Sequence, residues 1–360
     1  MRKVTLIRGA RQLLTLRGPS GPRRGADLRK LGIIQDGAVL IADGLIAEVG
    51  PSRRVENLAL ARGAEEIDAS GCVVMPGFVD GHIHVVKGAP QELSPRALKA
   101  LALRTVDEAV RHGTTAMEAE AKELKILRVH AALRELPMTF VSTFVAAGLP
   151  LEAADRLLPI VRRRNLAEFA EIGCDDAAIL AKARQFGWRV KLRAGAAPHA
   201  IATAVEIGAT GVSGVAAATE RDAILLAQSQ TIATLSPAVK FDRGAECYPP
   251  ARMLIDRGAA IALGSGVNPP NMQMTVALAC HAMNMTPAEA IAASTINGAH
   301  ALGRPANVGS IEAGKSADVA ILAVPDYREL PYHLGVNLVN LVMIQGVVRV
   351  ERPEVKWPVR

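Results

Sequence analysis

Aromatic side chains are scarce: six Phe, three Tyr and two Trp make up 3% of 360 residues. The chain carries a formal net charge of +7, yet no rings interleave with its basic residues. Recognition of nucleic acid by stacking is therefore excluded. The four cysteines, Cys72, Cys174, Cys247 and Cys280, stand far apart and form no C-x-x-C pair. That argues against a disulfide framework or a cysteine zinc cluster. No apolar run reaches bilayer-spanning length and no secretory signal is read, so no membrane association and a reducing, cytoplasmic setting with free thiols are expected. Low-complexity tracts and internal repeats are missing as well.

Much of the basic excess lies early, at Arg2, Lys3, Arg8, Arg11, Arg17, Arg23, Arg24, Arg29 and Lys30, with a second cluster at Arg162, Arg163 and Arg164. An Arg-rich, acid-poor start resembles a transit peptide. Against that, "VTLIRGARQLLTL" alternates like an edge strand of a folded domain, and the basic residues read as a solvated surface.

Half of the residues are hydrophobic, supplied by Ala, Gly, Val, Ile and Leu, which suits tight helix–sheet layers. The first 75 residues are strand-like. "GAVLIADGLIAEVG", Gly37 to Gly50, is two apolar runs around Ala42-Asp43-Gly44 and reads as a β-hairpin with a Gly-bearing turn. "EEIDASGCVVMPG" adds a strand and a Pro-Gly break. From Phe78 the pattern changes. Strand-like runs ("GTTAMEAE", "PMTFVSTFVAAG", "LAEFAEIG", "GWRVKLRAG", "GATGVSGV", "TIATLSPA", "GAAIALGSG") alternate with Ala-rich helical stretches such as Ala216 to Gln228. With the run before His84 there are eight, the signature of a (β/α)8 barrel. Short strands return in "GSIEAGKSADVAILAV" and "NLVMIQGVVRVERP". The predicted architecture is α/β: a barrel over residues 76–308, and a small β-sandwich built from residues 1–75 and 309–360.

Within "PGFVDGHIHVVKG", Pro76 to Gly88, His82 and His84 lie two residues apart on a strand and so share a face. They look like half of a metal site.

Sandwich strands, then "PGFVDGHIH", then a barrel, then "GSIEAGKSADVAIL" is a layout that resembles the amidohydrolase superfamily. Within it, "NMTPAEAIAASTINGAHALG" and "DYRELPYHLGVNLV" are most similar to imidazolonepropionases, which hydrolyse the imidazolone ring in histidine breakdown. The resemblance implies a divalent metal, Zn or Fe, at the C-terminal mouth of the barrel, with a water made acidic by that metal. It implies ligands from a strand-one His-x-His pair, a strand-five His and a strand-eight Asp, with a strand-six His assisting. It also implies a homodimer.

This chain departs from that pattern. His82 and His84 remain, but Arg193 stands at the strand-five ligand, Gly214 at the strand-six His and Gly266 at the strand-eight Asp. Asn268 and Glu171 still match. No Arg follows the His pair, leaving Lys87 as the nearest cation, and Glu120 replaces a loop Lys after strand two. An arginine is always protonated. A +1 and a +2 charge at about 4 Å repel by roughly 8 kcal/mol at an effective dielectric of 20, so Arg193 opposes a metal. The expectation is a remnant pair holding metal weakly or not at all. Restoring Arg193→His with Gly266→Asp is expected to restore metal binding.

Relocated ligands are sought at His199, just past strand five, and at Glu118 and Glu120, which end strand two on one face. His199 also reads as a surface residue at a helix start. One of the two glutamates is expected to pair with Arg193 and fill the vacated site. Three functions stay open: a degenerate amidohydrolase whose pocket binds a small anionic ligand through Arg193, Lys87 or Lys191; a working C–N hydrolase with a rearranged site; and a non-catalytic binding or partner protein.

Overall fold

A computed structural model describes residues 3–86, 92–195, 197–267 and 269–352. Apolar residues crowd β1 (Val4–Leu14) along most of its length, and it is buried accordingly. It pairs antiparallel with β2 (Ile33–Ala42), which turns into β3 (Leu45–Pro51). Asp43 and Gly44 both have positive φ, 51° and 81°, the geometry that suits a two-residue hairpin. On its other side β1 forks. Thr5–Arg8 run parallel to β4 (Glu65–Asp68), and Gln12–Leu13 to β5 (Val73–Pro76). Strand β1 is therefore central, not the edge strand its alternation suggested, because two short partners share its second edge.

Barrel strands follow in chain order: β6 (Phe78–Ile83), β7 (Thr114–Ala121), β8 (Thr139–Val145), β9 (Phe169–Gly173), β10 (Arg189–Arg193), β11 (Gly211–Ser213), β12 (Ile232–Leu235) and β13 (Ile261–Leu263). Each is parallel to its neighbour from β6 to β13. The β13–β6 seam is closed past the strand ends, where Gly266 N–H donates to the His82 carbonyl at 2.7 Å and Ser265 N–H to Asp80 Oδ1 at 2.9 Å. Then β14 (Val319–Leu322), β15 (Val339–Ile344) and β16 (Val347–Glu351) join the terminal sheet, in the order β16-β15-β14-β5-β1-β2-β3. The chain ends thus build one eight-stranded sheet beside the barrel.

The helix expected from Ala216 begins later, at Glu220, because Thr219 caps it reciprocally with Asp222. Strand β5 feeds β6 through Gly77 alone, and Gly77 N–H donates to the Asp318 carbonyl at 3.0 Å. The histidine-bearing strand is therefore anchored at its base by the terminal sheet. No helix among the described residues is long and apolar enough to cross a membrane.

One buried polar pair pins a helix to the barrel wall. His130, on the helix Leu124–Leu133, is fully buried and its Nδ1 lies 2.9 Å from Ser142 Oγ on β8. Its Nε2 has no partner among the described residues. Burial above all, with the Arg134 charge adding to it, lowers its pKa to about 3. Unfolding frees this ring to bind a proton below about pH 6.5. Acidification from there toward pH 4 should therefore cost about 1.4 kcal/mol of stability per pH unit from this residue. Denaturation of His130→Gln across that range should show a slope shallower by about one proton; an unchanged slope would contradict the assignment.

Candidate functional site

Alternation on β7 and β10 stacks charged side chains in two layers inside the barrel. In the deeper layer Glu118 is fully buried and Lys191 nearly so. The Lys191 ammonium donates to Glu118 Oε2, Thr143 Oγ1 donates to Oε1 at 2.6 Å, and the ammonium lies 4.5 Å from the Phe169 ring centre.

Two residues further up each strand, at the mouth, Glu120 and Arg193 form the second layer. One guanidinium nitrogen, Nη2 of Arg193, donates to Glu120 Oε2 at 3.2 Å and to Glu171 Oε2. Glu171 accepts from Ser213 Oγ at 2.7 Å. The other Glu120 oxygen lies 2.9 Å from His82 Nδ1. His84 sits beside them, its Nδ1 3.4 Å from the Glu120 carbonyl, with the two imidazoles nearly perpendicular at 5.3 Å.

The electrostatics follow from this packing. Burial disfavours a charged His82, but the charge and hydrogen bond of Glu120 outweigh it and push the imidazole up to about 9. Glu120 is buried too, yet His82 and Arg193 hold it well below the usual carboxylate range. His84 is lowered by burial and by the His82 charge. Burial, then the charge of Glu120, raises Glu171, with Arg193 opposing. Below them Asp80 is raised by burial to about 6, moderated by hydrogen bonds from Ser265 and the His82 N–H. Three cations, His82, Lys191 and Arg193, thus face three carboxylates, Glu118, Glu120 and Glu171.

His82, His84 and Glu120 can each offer an atom within 4.8 Å of the others. Two imidazoles and a carboxylate are a sufficient set for a divalent ion with an open position. As arranged, however, His82 shares a proton with Glu120, and Arg193 occupies the same carboxylate. An ion enters only by expelling both, so the donors fit in number and not in charge.

Of the other residues singled out in the sequence, His199 caps the helix Ala200–Glu206 from an exposed position. It faces Asp175 at 3.7 Å, outside this group. Lys191 is committed to Glu118 below the mouth. Lys87 and Asn268 lie outside the described residues. The expected rescue by Gly266→Asp meets a steric obstacle. Gly266 has φ +64°, and a Cβ there would lie 2.4 Å from Val239 Cγ2 and 3.2 Å from His82 Cδ2. A carboxylate there requires the Val239 side chain to shift and a left-handed backbone to be kept. Gly214 is likewise left-handed, at φ +71°.

The mouth opens into a cavity of about 670 Å³ lined by His82, His84, Arg193, Lys240, Asp242 and Arg243 among others. Lys240 and Arg243 were missed in the sequence, where they read as ordinary surface charge. Their position just after a barrel strand was the available signal, since loops at that face build the active sites of such barrels. Another cavity of about 630 Å³, lined by Lys3, Asp43, Thr139 and Arg304, lies by the terminal sheet, away from these groups.

Models of the amidohydrolase family match residues 65–124 and 197–349. The imidazolonepropionase of Solibacter usitatus is 35% identical over 402 positions, covering 93% of this chain and 96% of that protein. That of Alkaliphilus metalliredigens is 32% identical, covering 97% and 99%. An alignment of 402 positions necessarily leaves gaps in a chain of 360. Among solved structures, Aspergillus niger ochratoxinase superposes with a TM-score of 0.77 at 19% identity, covering 98% of this chain and 96% of that one. A zinc-bound adenosine deaminase from Xanthomonas campestris gives 0.73 at 19%, covering 96% and 93%. At such identities these two report the fold alone.

Glu120→Gln should cost about 3–5 kcal/mol near pH 7, since it strands buried charges. His82 is raised above its unfolded value, so its stabilisation is complete below about pH 6.5 and fades as pH rises through about 9. The deficit of Glu120→Gln should accordingly shrink between pH 7 and 10 in chemical denaturation; an equal deficit at both ends would contradict the pairing.

Proposed function

The chain belongs to the amidohydrolase family as an imidazolonepropionase-like member, and on that premise we propose that it has kept the barrel and lost ring hydrolysis. The mouth serves instead as a metal-free, cationic pocket for a small anionic ligand. One observation carries this reading: the Arg193 guanidinium joins Glu120 to Glu171 where a divalent ion would otherwise balance the carboxylates. Each carboxylate of the network already has a cationic partner without an ion, and taking up +2 charge would disturb that pairing.

What this chain's residues can do follows directly. Nη2 of Arg193 makes both carboxylate contacts, while its Nε and Nη1 bond to no described group. The side chain is 41% exposed and lines the cavity, so part of it is open to a ligand there. Lys240 and Arg243 line the same cavity, with Asp242 as its acidic neighbour. Arginine presents a planar pair of N–H groups matched to a carboxylate. The pocket therefore orients an acid group over Arg193 and supplies no activated nucleophile.

A second reading has its own support in the reach of His82, His84 and Glu120. If Arg193 swings into the mouth and His82 loses its proton, these three would hold a divalent ion. Such an ion supplies ionised water near neutral pH, and the chain would be a C–N hydrolase with a rearranged site.

Elemental analysis and turnover separate the two. Protein purified without chelator should carry well under one equivalent of Zn, Fe or Mn, and imidazolone propionate should decay at its uncatalysed rate. Stoichiometric metal that disappears in His84→Ala would favour the second reading over the first.

A further inference from the structure

Beside the mouth lies a smaller cavity of about 130 Å³, which shares Gly195, Gly214 and Val215 with it. Its walls are apolar, from Ala194, Ile201, Val215 and Ala218 among others. The polar side chains in its wall, Thr219 and Asp222, are bonded to each other. Thr219 Oγ1 donates to Asp222 Oδ2 at 2.7 Å, and Asp222 N–H donates back to Thr219 Oγ1 at 3.3 Å. The alcove thus offers mostly hydrocarbon, with its two polar side chains bonded to each other. Its doorway is Gly214. A Cβ there would stand 3.2 Å from Gly195 N and 3.8 Å from Arg193 Cγ, so a side chain at this position would crowd the wall that the alcove shares with the mouth.

A cationic anchor and a largely apolar alcove beside it select an amphipathic anion. We propose that the pocket binds a short-chain carboxylate, its head on the Arg193 guanidinium and its tail through the Gly214 doorway into the alcove. This rests on the reading that Arg193, and not a metal ion, forms the floor of the mouth. Taking each methylene as about the 30 Å³ of a water molecule in the liquid, the alcove holds about four. Straight-chain acids of about five or six carbons fill it. A polar or strongly branched tail is rejected, because the alcove cannot repay its desolvation.

Calorimetric titration of chelator-treated protein with acetate, butanoate, pentanoate, hexanoate and octanoate reads the proposal. Affinity should rise about fourfold per methylene, the equivalent of about 0.8 kcal/mol each, and level off near six carbons. Ala218→Leu, which puts a side chain into the alcove, should compress the series toward the acetate value. Should that variant fail to fold, the wild-type series decides alone. Binding of every acid with equal affinity overturns the alcove and leaves the anionic pocket standing. No binding of any acid, or binding that appears only after zinc is added, overturns the metal-free pocket and the alcove with it.

Discussion

The bond between the Arg193 guanidinium and two buried carboxylates, Glu120 and Glu171, governs the upper half of the barrel. Charges inside a protein persist only when paired and hydrogen-bonded, because taking each out of water costs several kcal/mol. Glu120 is 5% exposed and Glu171 1%; without a cation between them they would repel and protonate. Arg193 meets that requirement from the neighbouring strand. With Glu120 held ionised, His82 keeps its proton, and with His82 charged, His84 stays neutral beside it. The deeper Lys191–Glu118 pair repeats the solution one layer down. The guanidinium thus already supplies the positive charge that these two carboxylates require.

Two glycines shape the backbone around this network. Gly266 supplies the N–H that closes the β13–β6 seam at the His82 carbonyl, and it does so from a left-handed conformation packed against Val239. Gly214 takes a similar conformation beside Arg193 and opens a side chamber. The two glycines therefore do different work: one closes the seam at His82, and the other lines both the mouth and the smaller cavity beside it.

Much of this was legible in the sequence. Period-two alternation placed His82 with His84, and Glu118 with Glu120. The eight strand-like runs are all barrel strands, and an arginine at a ligand position implied a compensating carboxylate. What stayed hidden has physical causes. Which glutamate meets Arg193, and that Lys191 descends to Glu118, depends on pairing across 73 residues of chain, set by barrel closure. Strand β1 read as an edge because its second edge is covered by β4 and β5, short strands from a distant segment. The left-handed φ of Gly266 has no trace in "LGSGVNPP", so the reversion to Asp looked simple. Lys240 and Arg243 look like ordinary surface charge until the barrel places them over the mouth.

A crystal structure of the protein grown in the presence of zinc, with diffraction recorded on both sides of the zinc absorption edge, tests the central claim most directly. The account predicts no anomalous peak between His82, His84 and Glu120, with the Arg193 guanidinium still bridging Glu120 and Glu171. A fully occupied peak bonded to both imidazoles, with Arg193 turned out into the mouth, would contradict it.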